Sequence, residues 1–217
     1  MAFKAAFRGL LFAFNLLTAI NALPTEQQVL HTSTHHLDVI SELEKAEIIP
    51  TVIDTFIPRL TLNISWPSNE TAHLGNTISP DDTQDKPNIT LYDPSDLASS
   101  SSITYTVTLT DPDAPSRDDP EWSEMCHWIA TNVKVSSSAL SVDEIMEYKP
   151  PGPPPKTGKH RYVFIAFAPA NGTSDELHLS KPEDRQHWGY EYDGRRVGVR
   201  KWAAENGLVP VGSFALT

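Results

Sequence analysis

Two loops and one strand-like run hold the residue types from which a ligand-holding or proton-moving site can be built. The loops are Asp111-Pro112-Asp113-Ala114-Pro115-Ser116-Arg117 and Gly152-Pro153-Pro154-Pro155-Lys156-Thr157-Gly158-Lys159-His160-Arg161-Tyr162, with Cys126-His127-Trp128-Ile129 between them. Each proline fixes its own φ and drives the preceding residue toward extended backbone, so the Asp111 and Asp113 carboxylates are aimed rather than mobile. A carboxylate that accepts an imidazole N–H favours the charged ring. The proline-rich second loop has few conformations to lose, so backbone amides at Gly152 and around Gly158 can meet a ligand at small entropic cost. If the three apolar runs bordering these stretches are neighbours in one sheet, Asp111, His127 and His160 converge. Two imidazoles, a carboxylate and fixed amides suit a small anion, a phosphate or a carboxylate.

The expected ligand-binding set is Asp111, Asp113, Trp122, His127, Gly152, Pro153 and His160, with His127, His160 and Asp111 the candidates for any catalysis. Asp113 has an alternative use in capping its own turn, and Trp122 an alternative use in packing. Ordinary histidines charge near pH 6.5, so anion affinity is expected to rise between pH 8 and pH 5.5. Two His and one carboxylate could also hold iron or zinc, but no metal and no cofactor is expected. A serine hydrolase is disfavoured because no Gly-x-Ser-x-Gly elbow occurs. Cys126 adjoins His127 in sequence, which on a strand sends the two side chains to opposite faces. Cys126, the lone cysteine, reads as a small buried apolar residue and permits no internal disulfide.

These loops need strands to hold them. Ile103 to Thr110 alternates apolar residues with threonine and is ended by Asp111-Pro112. A strand at 127–135 follows, and another at 160–168 whose apolar character on both faces marks it as central and covered. Residues 59–66 form an earlier strand, and 67–102 read as surface loops with short strands at Thr77-Ile78 and at Ile89 to Tyr92. From a cap at Ser33 or Thr34, Leu37, Ile40, Leu43 and Ala46 recur as one face of a short helix that stops at Ile49-Pro50. Residues 51–57 read as a further turn of helix. A second helix covers 195–206, with Val199, Trp202 and Ala203 on one side and Gly207 as its cap.

At 217 residues and 39% apolar the chain suits a single globular domain. Residues 1–22 have the layout of a secretory signal peptide: Lys4 and Arg8, an apolar stretch from Gly9 to Ala19, and small residues up to Ala22. Polar Asn15 and Asn21 leave that stretch short for a membrane anchor. Residues 23–217 are then the mature domain, with 23–34 a flexible stub. Four Asn-x-Ser/Thr sequons, at Asn63, Asn69, Asn88 and Asn171, lie beyond the cleavage point among nine asparagines, more than chance predicts. They suit a secreted glycoprotein. Cleavage takes Lys4 and Arg8 from 17 basic residues and nothing from 28 acidic ones, leaving a net charge of about −13. Such a surface repels nucleic acid and anionic membrane, so an anionic ligand must be held by a local pocket.

On the Asp111–Arg117, Cys126–Trp128 and Gly152–Tyr162 stretches, taken in order and with the Ile48-Ile49-Pro50-Thr51-Val52-Ile53-Asp54 segment, the chain resembles the phosphatidylethanolamine-binding protein family, over roughly residues 35–210. Val52–Phe56 and Gly75–Pro80 are most similar to fungal members. The resemblance implies a mostly β, sandwich-like fold with a large central antiparallel sheet, a smaller sheet and peripheral helices. It implies an anion pocket at Asp111, His127, Gly152, Pro153 and His160, with Trp122 where many members carry tyrosine and Cys126 where animal members often carry a further histidine. It implies a monomer that binds a phosphate head group or carboxylate. It also brings two alternatives: inhibition of a serine carboxypeptidase, and an enzyme or accessory role in fungal secondary metabolism, assisting a pathway enzyme that dimerises maleic-anhydride-type monomers.

Overall fold

The computed structural model describes residues 37–95, 102–135, 142–175, 177–190, 192 and 195–216. The signal peptide, the stub and the helix cap expected at Ser33 or Thr34 lie outside the described residues. Among the described residues, seven strands form two sheets: β1 (Thr61–Ser65) and β2 (Asn88–Tyr92) make one, and β3 (Tyr105–Asp111), β4 (Met125–Val133), β5 (Asp143–Met146), β6 (Tyr162–Pro169) and β7 (Leu208–Leu216) make the other. The order in the large sheet is β5-β4-β3-β6-β7, with every neighbouring pair antiparallel. Helix α1 (37–45) and helix α2 (Gly198–Glu205) lie to one side. This is the mostly β sandwich expected.

Two apolar clusters sit on the two faces of the large sheet. The first joins Leu62, Ile64 and Leu91 of the small sheet to Val107, Leu109, Trp128, Phe164 and Ala166. The second joins Val39 and Leu43 of α1 and Val199, Trp202 and Ala203 of α2 to Cys126, Val163, Ile165 and Phe167. Because β3 and β6 are covered on both faces, β3 is buried from end to end. Thr106, Thr108 and Thr110, the alternate face of β3, are covered by the helix layer and not by water.

Several local expectations are corrected. Leu37 is exposed, and the buried stripe of α1 runs through Val39 and Leu43, four residues apart. Residues 51–57 do not continue the helix: one turn closes with Val52 N–H on the Ile48 carbonyl, and 54–57 follow without regular structure. Thr77-Ile78 is not a strand, and a 3-10 turn at Pro80–Thr83 follows it. β5 and β7 had no counterpart in the sequence reading.

Two bulges shape the sheet. Leu109 faces Trp128 while Thr110 faces Cys126, which makes His127 the extra residue of a bulge on β4. Ala166 faces Gly212 while Phe167 faces Pro210, which does the same to Val211 on β7. The Val211 carbonyl is thereby released from the ladder and accepts the N–H groups of Arg59 and Leu60 at 2.8 and 3.0 Å, just where the chain enters β1. Gly212 lies so close to the Leu60 carbonyl that a Cβ there would approach it to 2.7 Å.

Candidate functional site

The end of β3, the start of β4 and the start of β6 come together at one edge of the large sheet. Asp111, His127 and His160 are placed there, exposed by 3, 3 and 2%. The His127 bulge matters because it puts Cys126 into the cluster under the helices while His127 faces the other side, beside Tyr162. Tyr162 is the common neighbour of both imidazoles, edge-on to His127 with centroids 5.3 Å apart and roughly parallel to His160 at 6.4 Å.

The hydrogen bonds assign the protons. His160 Nδ1 lies 2.8 Å from Asp111 Oδ2, and its Nε2 lies 3.0 Å from Thr157 Oγ1. The single Thr157 hydroxyl proton goes to the Pro154 carbonyl at 2.7 Å. Thr157 Oγ1 is then left to accept from His160 Nε2–H, an arrangement that favours the doubly protonated ring. Burial alone would lower the His160 pKa, but the hydrogen bond and charge of Asp111 outweigh it, and the group stands above its ordinary value. His127 differs. Its Nδ1–H is given to the Lys149 carbonyl at 2.8 Å, and Lys149 N–H returns a bond to the His127 carbonyl. Burial lowers its pKa, with the charge of Asp111 offsetting part of that. His127 is therefore neutral at pH 7, and its buried Nε2 presents a lone pair with no partner among the described residues. The pair is not two equal cations, as the reference pKa had suggested, but one cation and one acceptor.

The other expected residues divide. The Gly152 amide is directed at the Tyr162 phenol, whose ionisation burial suppresses. Gly152 is exposed and Pro153 half-buried at the rim, and Gly158 takes φ +82° in the turn before His160. Asp113 is fully buried, and its two oxygens are taken by Arg161 Nε (2.9 Å), Arg161 N–H (2.9 Å), Arg161 Nη2 (2.6 Å) and Arg196 (3.3 Å). Burial opposes its charge, yet Arg161 holds its pKa below the usual carboxylate range. Arg161 also caps the end of α1 through the Ala46 and Glu47 carbonyls, both at 2.9 Å. Asp113 therefore anchors the loop that aims Asp111. Trp122 packs at the surface against His187, centroids 6.1 Å apart.

Sequence reasoning passed over Tyr162, Thr157, Arg161 and Glu124. Tyr162 could have been found by parity, since two residues past His160 on a strand is the same face. Glu124 is wholly buried, accepts the Thr110 hydroxyl at 2.7 Å and the Val199 N–H at 2.7 Å, and is pushed up to about 7 by burial. Cys126 is buried with its thiol pKa raised, an inert core residue. Asn63, Asn69, Asn88 and Asn171 are all exposed. Cavities of about 970 and 520 Å³ lie elsewhere, the first at the opposite end of the large sheet beside Tyr105, Phe167 and Leu208.

Residues 68–212 match the phosphatidylethanolamine-binding protein family. The carboxypeptidase Y inhibitor of Saccharomyces cerevisiae is 31% identical, covering 80% of this chain and 91% of the inhibitor. CEN-like protein 1 of Nicotiana tabacum is 29% identical over 78% of this chain and 86% of its own length. A carboxypeptidase Y inhibitor solved in complex with its cognate proteinase superposes with a TM-score of 0.72 at 31% identity, covering 83% of this chain and 94% of that one. A phosphatidylethanolamine-binding protein from Plasmodium falciparum superposes at 0.61 and 25% identity, over 82% and 96%.

Proposed function

The chain belongs to the phosphatidylethanolamine-binding protein family, and on that footing we propose that it is an exported binding protein for a small oxyanion held by Asp111, His127 and His160. One observation carries this reading: a buried imidazole nitrogen without a partner, His127 Nε2, beside an imidazolium charged by a buried carboxylate. A buried polar atom left unpaired costs roughly 1–3 kcal/mol, which a ligand that pairs it returns. An anion oxygen takes the place of Thr157 Oγ1 on His160 Nε2–H, and a protonated oxygen of the same ligand donates to His127 Nε2. Entry requires the 152–158 loop to lift Thr157 away, because both rings are otherwise covered. A ligand that is at once anionic and carries an O–H, such as hydrogen phosphate, satisfies both nitrogens. Sulfate satisfies one. Export through a cleaved leader and glycans on the four exposed sequon asparagines complete the reading; N-terminal sequencing and glycosidase shifts of the mature chain test them.

Calorimetric titration with sulfate and phosphate tests the site. Sulfate keeps its charge across the range, so its affinity reports the protein alone. The His160 pKa is raised, so affinity is full below about 6.5 and falls as pH rises through that raised value. At pH 7 phosphate binds more tightly than sulfate, by about tenfold for one added hydrogen bond of ~1.4 kcal/mol. Asp111→Asn weakens both, and Thr157→Val strengthens both. Sulfate affinity that stays flat from pH 6 to 9, or survives Asp111→Asn, would overturn the assignment.

The likeness to the yeast inhibitor favours a second reading, in which the mature chain inhibits a serine carboxypeptidase. Its demand is separate: inhibition by the chain from residue 23, lost on trimming residues 23–35, with sulfate binding untouched.

A further inference from the structure

The cavity of about 970 Å³ at the far end of the large sheet has no part in the anion site. Its floor is apolar and covered: Phe167, Ile53 and Leu208 are exposed by 1, 2 and 5%. Its rim is apolar and bare. Of the large hydrophobic side chains exposed among the described residues, Ile57 at 68% and Val209 at 43% both stand on this lining. An apolar lining that runs from solvent to the interior, broken by a few polar groups, is the form of a small-molecule site, and the volume falls within the usual range of roughly 300–1,000 Å³.

The polar groups on the lining select the guest. Asp54 is engaged by Arg200 Nη1 at 2.7 Å, and Arg200 Nη2 bonds to the Thr51 carbonyl. Asp93 accepts the Ser95 N–H and hydroxyl at 2.8 and 2.6 Å. Two donors are left over. The guanidinium of Arg59, an exposed residue, has neither a hydrogen-bond nor an ion-pair partner among the described residues. Tyr105 is 6% exposed, and its hydroxyl has no hydrogen-bond partner among the described residues. Burial, and then the charge of Asp93, raises the Tyr105 pKa, so the phenol stays a donor. Arg59 is also held in place: its N–H bonds at 2.8 Å to the Val211 carbonyl that the β7 bulge releases. We infer that this cavity takes an apolar organic acid, its carboxylate on Arg59 and its hydrocarbon body over Ile57, Val209 and Phe167.

Other guests fit less well. A cation would meet Arg59 and find both acids already engaged. A hydrophilic anion would gain one exposed ion pair, worth little alone, and leave the apolar floor unfilled. A plain hydrocarbon would leave both donors unmet, and the covered phenol is costly to leave so. An amphipathic acid answers the floor, the rim and the charge together.

Octanoate, ionised at about pH 7.5, and neutral octan-1-ol share a tail and differ in their heads. Both are titrated by calorimetry into the full mature protein. From butanoate to octanoate, affinity should rise about two- to fourfold per added CH₂. Arg59→Gln should weaken octanoate about two- to fivefold, the range of an exposed ion pair, and leave octan-1-ol unchanged. Ile57→Ser and Val209→Ser should weaken acid and alcohol alike. Phenylbutanoate distinguishes the two sources of such an acid: tighter binding than octanoate assigns the site to aryl acids, weaker binding to alkyl ones. The imidazole site also attracts carboxylates, so octanoate is titrated again under saturating sulfate. Binding that persists there supports the inference. If sulfate does not bind at all, the anion reading fails, and Arg59→Gln still tests this one. Displacement of octanoate by sulfate, affinity flat along the chain series, or octanoate indifferent to Arg59→Gln would overturn it. So would self-association of the chain that Ile57→Ser abolishes, since that assigns the apolar rim to a second copy.

Discussion

Two aspartates two residues apart serve opposite ends. Asp111 is spent on charging His160, and Asp113 on neutralising Arg161, which is buried to 1% exposure. Removing one partner of a buried pair leaves the other charge uncompensated, so Asp113→Ala should cost about 3–5 kcal/mol in urea unfolding. Asp111→Asn should cost much less stability and remove most of the sulfate binding. The reverse ranking would exchange the roles assigned to the two residues. The acid limb follows in sign: the Asp113 pKa is depressed, so its contribution is full above about 3.9 and is lost as pH falls through the depressed value. That Asp111, His127 and His160 meet was legible because the loops have fixed backbones at the ends of alternating runs. The division of labour was not, since choosing between ligand and arginine requires knowing where Arg161 points, and Arg161 sits in a run that reads as plain strand. The contact of Trp122 with His187 was not legible for a related reason: His187 lies 65 positions away in sequence, in a loop without regular pattern.

At the scale of elements, Glu124 joins three of them: the end of β3 through Thr110, the start of β4, and the first turn of α2 through Val199 N–H. Helix α2 has no capping side chain of its own at Val197, and a carboxylate from another strand takes that place. Arg200 and Asp111 are the other charged groups acting on it, one lowering and one raising its pKa. Protonated Glu124 has somewhere to send its proton, because Thr110 can turn its own hydroxyl to the Met125 carbonyl at 3.2 Å and accept. The raised pKa means that stability is full below about 4.5 and declines as pH climbs toward about 7. Glu124→Gln should flatten that slope in thermal unfolding between pH 4.5 and 7; an unchanged slope would place the titration elsewhere. Strands β1 to β4 and β6 were legible because each alternates or is apolar throughout. β7 was not, since Pro210 and Gly212 argue against a strand, and β5 is short and acidic. Leu37 misled because helical spacing alone cannot tell which of two adjacent stripes meets the sheet.

At the scale of the molecule, the expected architecture holds: two sheets and a helix layer enclosing two apolar clusters. Composition carried that far, while the hydrogen bonds that tie the entry of β1 to β7 rest on one irregularity. Deleting Val211 should leave a regular β6–β7 ladder, because Gly212 and Pro210 already face Ala166 and Phe167. It takes away the carbonyl that receives Arg59 and Leu60. Hydrogen exchange at those two amides should quicken selectively while β6 and β7 amides stay protected; uniform acceleration would mean the ladder itself depended on the bulge. A single oxygen atom thus works as a rivet between two plates. A frame slip that most edge strands would absorb silently here removes that rivet and leaves apolar packing to hold roof to floor.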